Sequence, residues 1–125
     1  MTENQISYKI RGAIFSVYNE LGPGLLESIY QEALLLELIK RGLKVNREVS
    51  VPVYYDEQKL KLKYRIDILV ENKVIIELKS VEYLMPVHHK QVLTYLKITG
   101  LKLAILVNFN VDEITNGIFR KVNNL

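Results

Sequence analysis

The segment from Tyr64 to Ser80, Tyr-Arg-Ile-Asp-Ile-Leu-Val, then Glu-Asn-Lys, then Val-Ile-Ile-Glu-Leu-Lys-Ser, constrains this chain more than any other. Two runs rich in β-branched residues flank a short polar turn, which is the pattern of a β-hairpin. Apolar neighbours on both sides imply strands buried on both faces, where a charge is costly unless something pairs with it. Asp67, Glu77 and Lys79 occupy that setting. Either they pair with one another, or the two carboxylates hold a cation.

Register decides whether they meet. If Glu71-Asn72-Lys73 is a three-residue loop, Val70 faces Val74, Asp67 faces Glu77, and the facing pair shares one side of the sheet. Lys79, two residues beyond Glu77, shares it too. A two-residue loop would set Asp67 opposite Leu78 and scatter the group. Asn72 tolerates the left-handed backbone that the longer turn uses. Two carboxylates on one patch repel, and one takes a proton unless a cation intervenes. A hard ion, Mg²⁺ or Mn²⁺, suits such all-oxygen ligands. It is the ion that phosphodiester hydrolysis needs to polarise a phosphoryl oxygen and activate water. Lys79 beside it could orient that water and stabilise developing charge. The plain alternative is a salt-bridge cluster of Asp67 and Glu77 with Lys79 or Arg65.

The remaining elements follow from periodicity. Ile6, Ile10, Ile14, Val17 and Leu21 recur at helical spacing, and Gly22-Pro23-Gly24 ends that helix. A second helix spans about Leu25 to Arg41, with Leu26, Ile29, Tyr30, Ala33, Leu34, Leu38 and Ile39 as a broad apolar face and Gly42 as its stop. Strands follow from Leu43 to Tyr55 and from Lys59 to Val70, the latter long enough to require a bend or bulge. After the strand Val74–Ser80 come a third helix, about Val87 to Ile98, and a buried strand, Leu103 to Val107. A strand reached through a helix lies parallel to an earlier one. The tail, Ile118 to Val122, reads equally as a strand or a helical turn. The expected architecture is α/β: a single domain, 1–125, with one mixed sheet flanked by helices in the order α-α-β-β-β-α-β.

Composition limits function by exclusion. Without cysteine there are no disulfides, thiolate catalysis or cysteine zinc sites. No apolar run is long enough to span a membrane, and Met1-Thr2-Glu3-Asn4-Gln5 does not resemble a signal peptide, so a cytoplasmic location is expected. The net charge of +3 is compatible with a polyanion, and its distribution says more. Lys59, Lys61, Lys63 and Arg65 alternate with Leu60, Leu62, Tyr64 and Ile66, placing four cations on one strand face. That face is either a solvated edge or a strip for nucleic-acid phosphates. His88-His89, near a helix start, reads as a capping or surface pair, or brings one imidazole to the site.

Asp67 followed ten residues later by Glu77-Leu78-Lys79 resembles the D…(D/E)-x-K signature of the PD-(D/E)XK nuclease superfamily, whose restriction-endonuclease-like core has a similar element order. Gln91-Val-Leu-Thr-Tyr95 resembles the Q-x-x-x-Y motif of its RecB-like branch. Gly24-Leu-Leu-Glu27-Ser-Ile-Tyr30 is similar to the motif that names the small bacterial GxxExxY family. Ile66 stands where the superfamily name has proline. The resemblance implies a Mg²⁺- or Mn²⁺-dependent nuclease acting on DNA. It implies Asp67, Glu77 and the Leu78 carbonyl as metal ligands, joined by the helix acid Glu27, with Lys79 as catalytic lysine. Gln91, Tyr95 and Tyr30 become supporting residues. From the residues alone, Glu27 also fits a glutamate favoured by the helix dipole, and the two tyrosines fit core packing. Rival readings are a nucleic-acid-binding module that cleaves nothing and a nuclease-fold subunit that depends on a partner protein; a symmetric homodimer would supply a second active site.

Overall fold

A computed structural model describes residues 1–125. Helix α1 (Glu3–Leu21) begins at a capping box: the Thr2 hydroxyl accepts from the Gln5 N–H, and the Gln5 side chain accepts from the Thr2 N–H. It stops at Gly22, whose φ of +69° suits a residue without Cβ. Helix α2 (Glu27–Lys40) returns alongside α1. Tyr30 fastens the corner between them. Its hydroxyl donates to the Gly22 carbonyl (2.5 Å) and accepts from the Leu25 N–H (3.1 Å), while its ring stacks on Phe109 at 4.4 Å.

Strands β1 (Val45–Tyr55), β2 (Gln58–Val70), β3 (Val74–Lys79), β4 (Leu103–Asn108) and β5 (Ile118–Val122) form one sheet in chain order. Helix α3 (Pro86–Thr99) carries the chain from β3 to β4, which are parallel; all other neighbours are antiparallel. The expected mixed sheet, its helices and their order are therefore observed. The tail resolves as a strand against β4, preceded by a 3-10 turn at Ile114–Gly117 that periodicity did not indicate.

Each face of the sheet has its own core. Ile6, Ile10 and Ile14 of α1 and Tyr30, Leu34 and Leu38 of α2 pack on Ile68, Val70, Val74, Ile76 and Leu78. Val92, Tyr95 and Leu96 of α3 pack with Val51, Ile66, Ile75, Ala104 and Leu106 on the other. Burial of each large aliphatic side chain is worth about 1.5–3 kcal/mol. The apolar face expected of α2 is corrected in part. Leu26, Ile29 and Ile39 are exposed, while Leu35 is buried, because α1 and the sheet cover only one side of that helix.

The length expected to bend β2 is accommodated in two places. Its pairing with β1 shifts register between Pro52 and Tyr54, and Glu48, facing Asp67 across the pair, adopts φ +51°. Ile66 belongs to the core under α3 and Ile68 to the core under α1 and α2. Residues two apart share a face on a regular strand, so β2 rotates at Asp67. Outward from there, Gln58 to Arg65 are all exposed, and the outer parts of β1 and β2 form a ribbon beyond the core.

Gly117 lies where β4 and β5 close on each other. A Cβ there would stand 2.3 Å from the Asn108 carbonyl oxygen. Gly117→Ala is expected to cost about 1–3 kcal/mol, seen as a lower urea midpoint at unchanged slope.

Candidate active site

The hairpin adopts the three-residue-loop register, with Val70 facing Val74, Leu69 facing Ile75 and Ile68 facing Ile76. Glu71 and Asn72 both take left-handed backbone in the loop. Continued by one step, that register sets Asp67 opposite Glu77, but the strand pairing stops at Ile68. Side chains take over there. The Asp67 N–H donates to Glu77 Oε1 (2.8 Å), and the Leu78 N–H donates to Asp67 Oδ2 (2.8 Å). Each carboxylate is thus anchored to the other strand's backbone. Glu77 shares the face of Ile75, toward α3, and is 3% exposed. Lys79, half-buried, follows on the same face.

Burial pushes the Glu77 carboxyl up from 4.5 to about 8, and the neighbouring Asp67 charge adds to the rise. Burial also raises Asp67, against the Leu78 N–H and the Lys79 charge, which lower it; Glu27 contributes a smaller rise. Both shifts run the same way, so burial and mutual repulsion oppose ionisation of the two carboxyls together. The salt-bridge cluster weighed above does not form. The closest ion pair in the molecule joins Arg41 and Glu37 (3.8 Å), remote from the site in both sequence and fold.

The other expected residues divide. Glu27 opens α2 with an exposed side chain; its charge reaches Asp67, yet no three acids or histidines stand together at metal-binding spacing. Tyr30, on the same helix, faces the core and ties the Gly22–Leu25 corner, with no hydrogen bond to either carboxylate. Gln91 is half-buried on α3, one turn before Tyr95. Tyr95 is buried; its hydroxyl donates to the Arg65 carbonyl (3.3 Å), and its ring meets Tyr64 edge-on at 5.3 Å. Burial, followed by the charges of Glu77 and Asp67, pushes its phenol up to about 12, so it stays neutral. Lys59, Lys61, Lys63 and Arg65 are exposed along the ribbon that leads outward from Asp67. His88 caps α3, its Nδ1 accepting from the Met85 N–H (3.0 Å). His89 packs edge-on against Phe119, and burial lowers its pKa.

Two further residues have a part at the site that the sequence did not assign them. Gln31 donates its side-chain amide to the Asp67 carbonyl (3.0 Å). Spacings of three and four residues place Tyr30 and Gln31 close to Glu27 on one helix face, which was the only signal. Asn108, 3% exposed, bridges to Val81: its Oδ1 accepts from the Val81 N–H (3.1 Å) and its Nδ2 donates to the Val81 carbonyl (2.9 Å). That bridge holds the loop leaving Lys79. Nothing in a single sequence distinguishes such an asparagine from a turn former.

The donor set suits a hard divalent cation: the half-buried Asp67 and buried Glu77 carboxylates, neither with an ionic partner, and the adjoining Leu78 carbonyl. No helix is long and apolar enough to cross a membrane. A family model described as the PD-(D/E)XK nuclease superfamily matches residues 4–121. Among solved structures, the crystal structure of SSO0001 is similar, with a TM-score of 0.58 at 26% identity over 79% of this chain and 51% of that one. The chain thus spans about half the length of that protein. No curated protein matches it.

The raised Glu77 sets a sign for stability in chelator. The folded chain keeps a proton that the unfolded chain releases above pH 4.5, so stability falls as pH rises from there to about 8. Wild type is expected to melt several degrees lower at pH 8 than at pH 5.5, and Glu77→Gln is expected to flatten that slope in calorimetry.

Proposed function

The chain belongs to the PD-(D/E)XK nuclease superfamily, and from that premise we propose that it is a divalent-metal-dependent nuclease that hydrolyses phosphodiester bonds in DNA. The carrying observation is the pair of half-buried Asp67 and buried Glu77, cross-anchored through main-chain N–H groups and free of ion pairs, with Lys79 following Glu77 on β3. Asp67, Glu77 and the Leu78 carbonyl would hold Mg²⁺ or Mn²⁺. The ion would supply Lewis-acid polarisation of the phosphoryl oxygen and a water of lowered pKa.

The chain's own groups have separable tasks in this reading. Asp67 and Glu77 would hold the cation beside the anionic phosphate, and their fixed anchoring lowers the cost of organising the site. Lys79 orients the attacking water and offsets charge developing on phosphate. Glu27, exposed at the start of α2, adds negative potential at Asp67. Gln91 has no hydrogen-bond partner within the chain, which leaves its amide for substrate. Tyr95 keeps the adjacent main chain in place. Lys59, Lys61, Lys63 and Arg65 meet DNA phosphates along the ribbon, where the repeat of same-face residues is about 6.6 Å.

Cleavage of plasmid and linear DNA with Mg²⁺ or Mn²⁺ tests the proposal. Asp67→Asn and Lys79→Ala should each lower the rate by at least about 100-fold while far-UV spectra stay unchanged. Absence of cleavage of every DNA and RNA form with either ion would sink the enzymatic reading. For the cation strip, replacement of Lys59, Lys61 and Lys63 by alanine in the Asp67→Asn background should flatten the salt dependence of DNA binding. The slope should fall by about 0.9 for each phosphate contact removed.

A further inference from the structure

We propose that Gln31 is a positioning residue, whose side-chain amide fixes the main chain at Asp67 and thereby the carboxylate that the function proposed above assigns to the metal. The inference rests on that reading of the site. Among residues 65 to 70, Asp67 alone lacks a strand partner on either neighbour: β3 pairing ends at Ile68, and on the β1 side the pairing passes over Glu48 and Asp67. Glu48, in left-handed backbone, marks the same interruption from the other strand.

An unpaired residue between two buried isoleucines would ordinarily be free to rotate about its own φ and ψ. Here its polar groups are held by side-chain bonds. The Asp67 N–H is held by Glu77 Oε1, and Oδ2 is held by the Leu78 N–H; both bonds lie within the hairpin. The Asp67 carbonyl is held from outside it, by Gln31 Nε2 at 3.0 Å. Two residues earlier, Tyr95 reaches from the opposite helix to the Arg65 carbonyl. Helices α2 and α3 therefore grip β2 on either side of Ile66, at the point where the strand rotates. Gln31 is the member of this grip that touches the ligand residue itself. Its neighbour Tyr30 is buried against Phe109 and bonded to the corner, which ties the start of α2 next to Gln31. Losing the amide donor would leave the Asp67 carbonyl without its partner and release the peptide that carries the carboxylate.

Two variants of similar size remove the donor: Gln31→Met and Gln31→Glu. The readouts are Mn²⁺ affinity of the full chain by calorimetry, and amide hydrogen exchange by NMR in chelator. With either variant, Mn²⁺ binding should weaken about 10- to 100-fold, the range for residues that orient metal ligands. The Asp67 and Leu78 amides should exchange at least about tenfold faster, while Ile75 and Leu106 in the sheet centre keep their rates. A merely structural role would instead raise exchange throughout and lower the melting point in step. Unchanged exchange at Asp67 and Leu78, or unchanged Mn²⁺ affinity, overturns the inference. If wild type binds no Mn²⁺, the metal reading fails, and the exchange rates still decide whether Gln31 positions Asp67.

Discussion

The rest of this structure depends on the break in strand pairing at Asp67. Upstream β2 pairs only with β1, downstream it pairs on both sides, and at the join the backbone groups of one residue are left to side chains. Buried backbone donors and acceptors must find partners. Glu77, Gln31 and Tyr95 supply them to the short stretch from Arg65 to Asp67, reaching from β3, α2 and α3. Because each comes from a different element, the site exists only when helices, hairpin and sheet are all docked.

The electrostatics follow from the same break. A carboxylate that accepts from a main-chain N–H is held in place, but a pair of them under apolar cover cannot both stay charged. No lysine or arginine approaches closely enough to form an ion pair with either acid, although Lys79 lowers both through space. Burial and mutual repulsion therefore favour the protonated form of this pair in the bare chain. Tyr95, kept neutral by burial beside these charges, adds none of its own.

The two halves of the long hairpin serve different ends. Inner β2 lies in both cores and carries the carboxylate. Outer β2 has no core to cover it, and its four cations stand along an exposed ribbon that starts two residues from Asp67. The corner before α2 has a comparable role on the other side. Tyr30 and the glycine conformations at Gly22 and Gly24 set where Glu27 and Gln31 enter.

Local pattern alone determined much of this protein. Helical spacing of Ile6, Ile10 and Ile14, the β-branched runs around Glu71-Asn72-Lys73 and the parallel strand after α3 are visible because periodicity records which side of an element is buried. The juxtaposition of Asp67, Glu77 and Lys79 was conditional on one loop length, and the observed register satisfies it. Pattern was misleading for α2, whose apolar residues surround the helix; only the docked sheet and α1 decide that Leu35 is buried and Leu26, Ile29 and Ile39 are not. It was silent on the tail, where the free edge of β4 makes a strand of Ile118–Val122. It placed Glu27, Tyr30 and Gln31 close together on one helix, whereas packing sends Tyr30 to the core, Glu27 to solvent and Gln31 to the Asp67 carbonyl. Sequence spacing specifies neighbours along one element, but a hydrogen bond to another strand's backbone depends on the docking of two elements, which no single periodicity encodes.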